Sequence, residues 1–219
     1  PEEGAPQRET HWSWDFELFE LWNGGVDDRE DLREDWFSFL DQGVAAVPVG
    51  VSDSHYRFIP CGMGRTDVYV AQTDPAAVTT DALVDALLKG HVVASVGVTL
   101  RASVTSETET AMPGDTLTGR TVQVSAQVRA PEWVVPDTLR VYRNGEVVVE
   151  ETMPLEPTAG LWFDGSWTVE TPIDAWIVVE VEGATPMGST WRQSKPYAVA
   201  NAIRVDADGD GWRPPDSAD

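Results

Sequence analysis

Residues 44–55 read Val44-Ala45-Ala46-Val47-Pro48-Val49-Gly50-Val51-Ser52-Asp53-Ser54-His55, and this stretch decides how the first third of the chain is read. Eight uncharged, mostly apolar residues run without interruption into a short polar turn. Such a run suits a strand covered on both faces, as in a parallel sheet. The carboxyl ends of parallel strands are where barrels and open α/β sheets assemble their active sites. A carboxylate and an imidazole two positions apart at such an end suit zinc, manganese or iron. The same tetrapeptide also reads as an Asp-capped turn followed by a surface histidine.

Working outward, Phe16–Trp22 (FELFELW) reads as a buried strand ending at the turn signal Asn23-Gly24-Gly25. Asp27 and Asp28 offer N-caps to a helix carrying Leu32, Trp36, Phe37 and Leu40, and Gly43 stands where its C-cap is wanted. Beyond His55, residues 56–64 read as a loop and Asp67–Ala71 as a strand. Thr79, Thr80 and Asp81 open a helix with Leu83, Leu87 and Leu88 that Gly90 closes, and Val92–Val96 is a further strand. Strand and helix thus alternate over residues 12–97, the pattern of parallel α/β units. After a boundary at 98–115 the period becomes two, in Val122-Val124-Ala126-Val128, Leu139-Val141-Tyr142, Val147-Val149 and Trp176-Val178-Glu180. Asn144-Gly145 is a hairpin signal. The expected division is an α/β part over 1–97, a β-sandwich-like domain over 98–205 and an acidic tail over 206–219.

Four segments of the first part resemble the closing section of the polymerase and histidinol phosphatase (PHP) superfamily, nearest to its carbaryl-hydrolase-like branch. They are Phe19-Glu20-Leu21-Trp22-Asn23-Gly24, the helix from Trp36 to Gly43 leading to Val49–His55, Gly64-Arg65-Thr66 with Val68-Tyr69-Val70, and Ala86–Gly90 with Val92–Gly97. The ending Pro196–Ile203 is similar to that branch as well. The resemblance implies the C-terminal part of a distorted TIM-like barrel acting as a metal-dependent hydrolase on phosphoester, amide or carbamate bonds. It makes Asp53 and His55 metal ligands and Glu20 an acid that binds metal or orients a ligand. Arg65 becomes a candidate partner for a substrate anion, against the alternative of a structural ion pair. The family's early paired-histidine motif has no counterpart. The three histidines are His11, His55 and His91. His11 is a further candidate ligand, while His91 suits the negative end of a helix. A catalytic metal takes about three or more protein ligands and a bound water. The expectation is therefore an incomplete site, inactive alone, that needs a complementing N-terminal half, consistent with a chain that opens Pro-Glu-Glu-Gly like a processed or truncated end.

Composition narrows the partners. The formal charge is −22, from 37 acidic and 15 basic residues, which disfavours nucleic acid and anionic membranes. The single cysteine, Cys61, excludes a disulfide framework and a Cys-built zinc site, and no apolar run is long enough to insert in a membrane. A small-molecule substrate fits better. Ten tryptophans suggest an alternative function: Trp133, Trp162, Trp167, Trp176 and Trp191 as aromatic platforms of a binding module for a glycan or a protein, unless they form the sandwich core.

In the tail, Asp206-Ala207-Asp208-Gly209-Asp210-Gly211 fits the D-x-D-x-D-G opening of an EF-hand-type loop. Oxygen ligands from Asp206, Asp208 and Asp210 would wrap Ca²⁺. The twelfth position is Ser217 rather than a bidentate Glu, so the expected affinity is weak and suits an extracytoplasmic setting rich in calcium. A solvated acidic terminus is the alternative reading.

Overall fold

The computed structural model describes residues 15–23, 29–55, 61–154, 156–188 and 194–217. His11, Trp191 and the capping candidates Asp27 and Asp28 lie outside them.

The opening unit is strand, helix, strand. β1 (Leu18–Asn23) and β2 (Val47–Val51) pair in parallel, with Glu20 opposite Val49 and Asn23 opposite Val51. Between them runs α1 (Arg29–Asp41), which buries Trp36, Phe37 and Leu40. Gly43 closes it at φ 74°, where the Val44 N–H reaches the Phe39 carbonyl. A Cβ at that backbone angle would be strained, so the C-cap glycine serves a local need.

The rest is mainly antiparallel sheet, with Ile203–Asp206 and Thr116–Thr118 paired in parallel, and one further α-helix among the described residues. β3 (Arg65–Val68), α2 (Thr80–Leu88) and β4 (Val92–Val96) lead to β5 (Thr99–Thr105), β6 (Thr110–Ala111), β7 (Thr116–Thr118) and β8 (Thr121–Arg129). β9 (Thr138–Arg143), β10 (Glu146–Thr152), β11 (Leu161–Glu170), β12 (Ala175–Glu182), β13 (Tyr197–Ala200) and β14 (Ile203–Asp206) complete the chain. One sheet of eight strands runs β10-β9-β12-β13-β4-β3, with β14 joining β12 to β7; a second of four runs β11-β8-β5-β6. The β9–β10 hairpin turns at Asn144 and Gly145, both at positive φ, as its Asn-Gly predicts.

This overturns the expected fold class. Strand accounts for 44 % and helix for 14 %, and only two α-helices stand among the described residues; they do not form a segment of α/β barrel followed by a sandwich. β3 and β4 pair antiparallel, and β4 pairs antiparallel with β13, so the large sheet takes strands from both sides of residue 98. The physical reason is visible in Val92–Val96. All five residues are buried, because β4 is an inner strand of a sheet covered on both faces. A continuous apolar run reports two-sided burial and says nothing of strand direction.

The large sheet is the middle layer. On β12, Trp176 meets Phe37 of α1 with ring centroids 4.7 Å apart, and Glu180 meets Arg33. Side chains alternate across a strand, so Ile177, Val179 and Val181 lie on the opposite face. They join Val122, Val124 and Val128 of the four-stranded sheet in one buried cluster. No described helix is long and apolar enough to cross a membrane.

Candidate metal-binding sites

β2 ends at Val51, and the chain turns sharply. Asp53 takes φ 43°, a left-handed turn conformation that Asp adopts more readily than most residues, and the His55 N–H donates to the Asp53 carbonyl at 2.9 Å. The turn folds the side chains together: His55 Nδ1 lies 2.9 Å from Asp53 Oδ1, and both groups face solvent. The same Nδ1 also lies 3.1 Å from the Asp53 carbonyl oxygen. Two ligands on one ion with bonds of roughly 2.0–2.2 Å stand roughly 3 Å apart, which is the spacing of the Nδ1–Oδ1 pair. Ser52 and Ser54 share a hydrogen bond at 3.1 Å beside the pair.

Glu20 comes from the neighbouring strand, where Asn23 Nδ2 donates to its Oε2 at 2.7 Å. The β1–β2 register brings this end of β1 beside the end of β2. Among the described residues, however, no third His, Cys, Asp or Glu joins Asp53 and His55 in a ligand cluster. Arg65 is committed elsewhere. Its Nε donates to Asp67 Oδ1 at 2.9 Å, and a terminal nitrogen donates to the Val98 carbonyl at 2.7 Å, the structural ion pair weighed from the sequence. Gly64 has a packing role: a Cβ there would sit 2.0 Å from the Trp22 ring and 2.4 Å from the Val51 carbonyl oxygen. His91 Nε2 pairs with Asp115 Oδ1 at 2.9 Å.

The tail holds a second group. Ligand oxygens of Asp174, Asp206 and Asp208 all lie within 4.8 Å of one another. Asp206 is buried and accepts N–H bonds from Gly209 (2.7 Å) and Gly211 (2.9 Å), which fixes the loop around it. Asp174, between β11 and β12, accepts from the backbone N–H groups of Ala207 and Arg213. Asp210 turns away to Arg213 at 2.6 Å, and that guanidinium hydrogen bond holds its carboxyl below the usual range. The geometry thus groups Asp206 and Asp208 with Asp174 instead of Asp210. Nothing in the spacing around Pro172-Ile173-Asp174 marks that residue, because its role arises only when β12 and β14 pair.

A polar cleft of about 580 Å³ between the start of α1 and the β9–β12–β13 face was not foreseen. At its base the buried Glu180 carboxylate accepts from Arg33 (3.0 Å), Tyr142 (2.8 Å) and Tyr197 (2.8 Å). The available signal was a charged residue on the same strand face as Trp176 and Val178. Of the tryptophans, Trp162 and Trp176 are core, Trp167 is half-buried, and Trp133 is 54 % exposed.

No protein-family model matches the chain, and no curated protein matches it. Among solved structures, an engineered protein determined by crystallography is similar at 15 % identity over 49 % of this chain and 20 % of its own, with a TM-score of 0.28. This chain therefore spans about a fifth of that protein's length, and so low a likeness carries no argument about fold or function.

Proposed function

We propose that this chain supplies part of a metal-dependent hydrolase, with Asp53 and His55 holding a zinc, manganese or iron ion that activates water for attack on a phosphoester, amide or carbamate bond. The observation that supports this reading most is the 2.9 Å approach of His55 Nδ1 to Asp53 Oδ1 in the turn that follows a buried parallel strand. An ion there would be approached from solvent, as a substrate requires. Two ligands are fewer than a catalytic ion takes, so the remaining ligands belong to a complementing part of the protein, and these residues alone are inactive. Glu20 and Asn23, at the adjoining strand end, would orient what enters. Zinc titration calorimetry tests the reading: binding by the wild type that disappears in both Asp53→Ala and His55→Ala supports it. Unchanged binding in both variants refutes it.

A second reading concerns calcium, and the convergence of Asp174 with Asp206 and Asp208 favours it. Three carboxylates this close repel unless a cation joins them. Ca²⁺ would tie the tail to the β11–β12 connection as a structural clip.

A further inference from the structure

The outer face of the four-stranded sheet carries a hollow of about 350 Å³. Strand register makes it. Arg101 on β5 stands opposite Gln127 on β8, and Gln127 stands opposite Asp164 on β11. This row faces outward, because the strand neighbours Leu100, Ala102, Ala126 and Val128 are buried. The next outward row holds Ser103 opposite Ser125, side chains too short to fill the space. Gln127 is committed at both ends of its amide. Its Nε2 donates to Asp164 Oδ2 at 2.8 Å, and its Oε1 accepts from Arg129 Nε at 3.1 Å. No carboxylate pairs with Arg101 among the described residues. Two opposite charges thus flank a neutral residue, two strand spacings or roughly 10 Å apart. The other charges around the hollow are engaged. Asp115 pairs with His91 and accepts the Met112 N–H, Glu109 accepts the Thr118 N–H, and Asp67, beside Tyr69, is held by Arg65 and Ser95. Met112, 38 % exposed, and the half-buried Tyr69 supply the apolar lining.

We propose that this hollow binds a zwitterionic amino acid with an apolar side chain, its carboxylate on Arg101 and its ammonium on Asp164. Binding sites combine an apolar surface with a few polar groups that fix orientation, and a guanidinium matches a carboxylate in a two-pronged geometry. Asp164 keeps Oδ1 for the ammonium, since Gln127 takes only Oδ2. The spacing fits. An α-amino acid carries its charges about 3 Å apart, and one contact of about 2.8 Å at each end brings the span to roughly 9 Å. The charge fits as well. With Asp115 and Asp164 against Arg101, the lining is negative, in a protein of net charge −22. That field disfavours a net anion, and Arg101 disfavours a bare cation. A zwitterion meets neither objection. The site shares no residue with the Asp53–His55 turn or the Asp174 group and does not depend on them.

The experiment is calorimetry of the full chain with L-leucine at low salt, against two controls. Isocaproate keeps the side chain and carboxylate and lacks the ammonium; isoamylamine keeps the side chain and ammonium and lacks the carboxylate. The expected result is binding of leucine alone, weakened about tenfold or more in Arg101→Gln and in Asp164→Asn, the loss of one charge-assisted contact each. Both positions are exposed, Asn retains an acceptor for Gln127, and circular dichroism confirms that the variants stay folded. Binding of isocaproate equal to that of leucine overturns the role of Asp164, and equal binding of isoamylamine overturns the role of Arg101. No binding of leucine, or unchanged binding in both variants, overturns the site.

Discussion

Arg33 on α1 lies 3.0 Å from Glu180 on β12, joining the opening strand–helix–strand unit to the middle of the large sheet. Tyr142 and Tyr197 hydroxyls complete the shell around the same carboxylate. Breaking a buried pair by removing one partner leaves an uncompensated charge and costs about 3–5 kcal/mol. Arg33→Met should therefore lower stability by about 3 kcal/mol in urea unfolding, and the double variant Arg33→Met with Glu180→Gln should recover part of that loss. A loss under about 1 kcal/mol would show that α1 is docked by its apolar face alone.

Gly64 allows Trp22 to seat against the turn before β3, since a Cβ would lie 2.0–2.1 Å from two ring carbons. The nearby Val51 carbonyl cannot yield as a flexible side chain would. Gly64→Ala should cost roughly 1–3 kcal/mol and lower the melting temperature by a few degrees. A calorimetric melt unchanged from wild type would contradict the packing described.

Tyr69 donates its hydroxyl to the Leu100 carbonyl at 2.9 Å. Burial pushes its pKa up to about 12, with Arg101 opposing and Asp67 adding to the rise. A folded-state pKa above the unfolded value near 10 means that its contribution is fully present below pH 10. That contribution is lost as pH climbs from 10 to 12. Alkaline unfolding should therefore steepen in this window and flatten in Tyr69→Phe, followed by far-ultraviolet dichroism. Identical alkaline transitions in the two proteins would sink the idea.

Calcium at Asp174, Asp206 and Asp208 would stabilise only the folded state. With affinity on the order of 10⁻⁴–10⁻³ M, 10 mM Ca²⁺ adds about 1–3 kcal/mol and should raise the melting temperature by a few degrees. Asp208 is exposed and makes one weak backbone contact, at 3.3 Å. Asp208→Ala removes one of the three mutually repelling carboxylates, so it should melt at or slightly above wild type without calcium and lose the calcium-induced rise. An equal rise in both proteins would leave the tail as an acidic turn.

The local elements were largely legible, and the long-range pairing was not. Trp36, Phe37 and Leu40 marked a buried helix face, and Val122, Val124, Ala126 and Val128 marked a strand face that the structure buries. The strand foreseen at Asp67–Ala71 falls instead at Arg65–Val68. Hydrophobic period cannot say that Val92–Val96 pairs with Tyr197–Ala200, a hundred residues away. Nor does it show that Leu83 and Leu88, on a helix that looked core-facing, are exposed. The Asp53–His55 turn was readable because both groups lie within three residues. Asp174, Arg33 and Glu180 were hidden because their partners come from distant strands.

The central claim is that Asp53 and His55 share one metal ion. With three histidines in the chain, the imidazole Cε1 protons give few enough nuclear magnetic resonance lines to follow individually, the His55 line being assigned by its absence in His55→Ala. Substoichiometric Mn²⁺ should broaden the His55 line selectively, leave that of His91 sharp, and lose this effect in Asp53→Ala. Equal broadening of the His55 and His91 lines, or selective broadening that persists in Asp53→Ala, would contradict the claim.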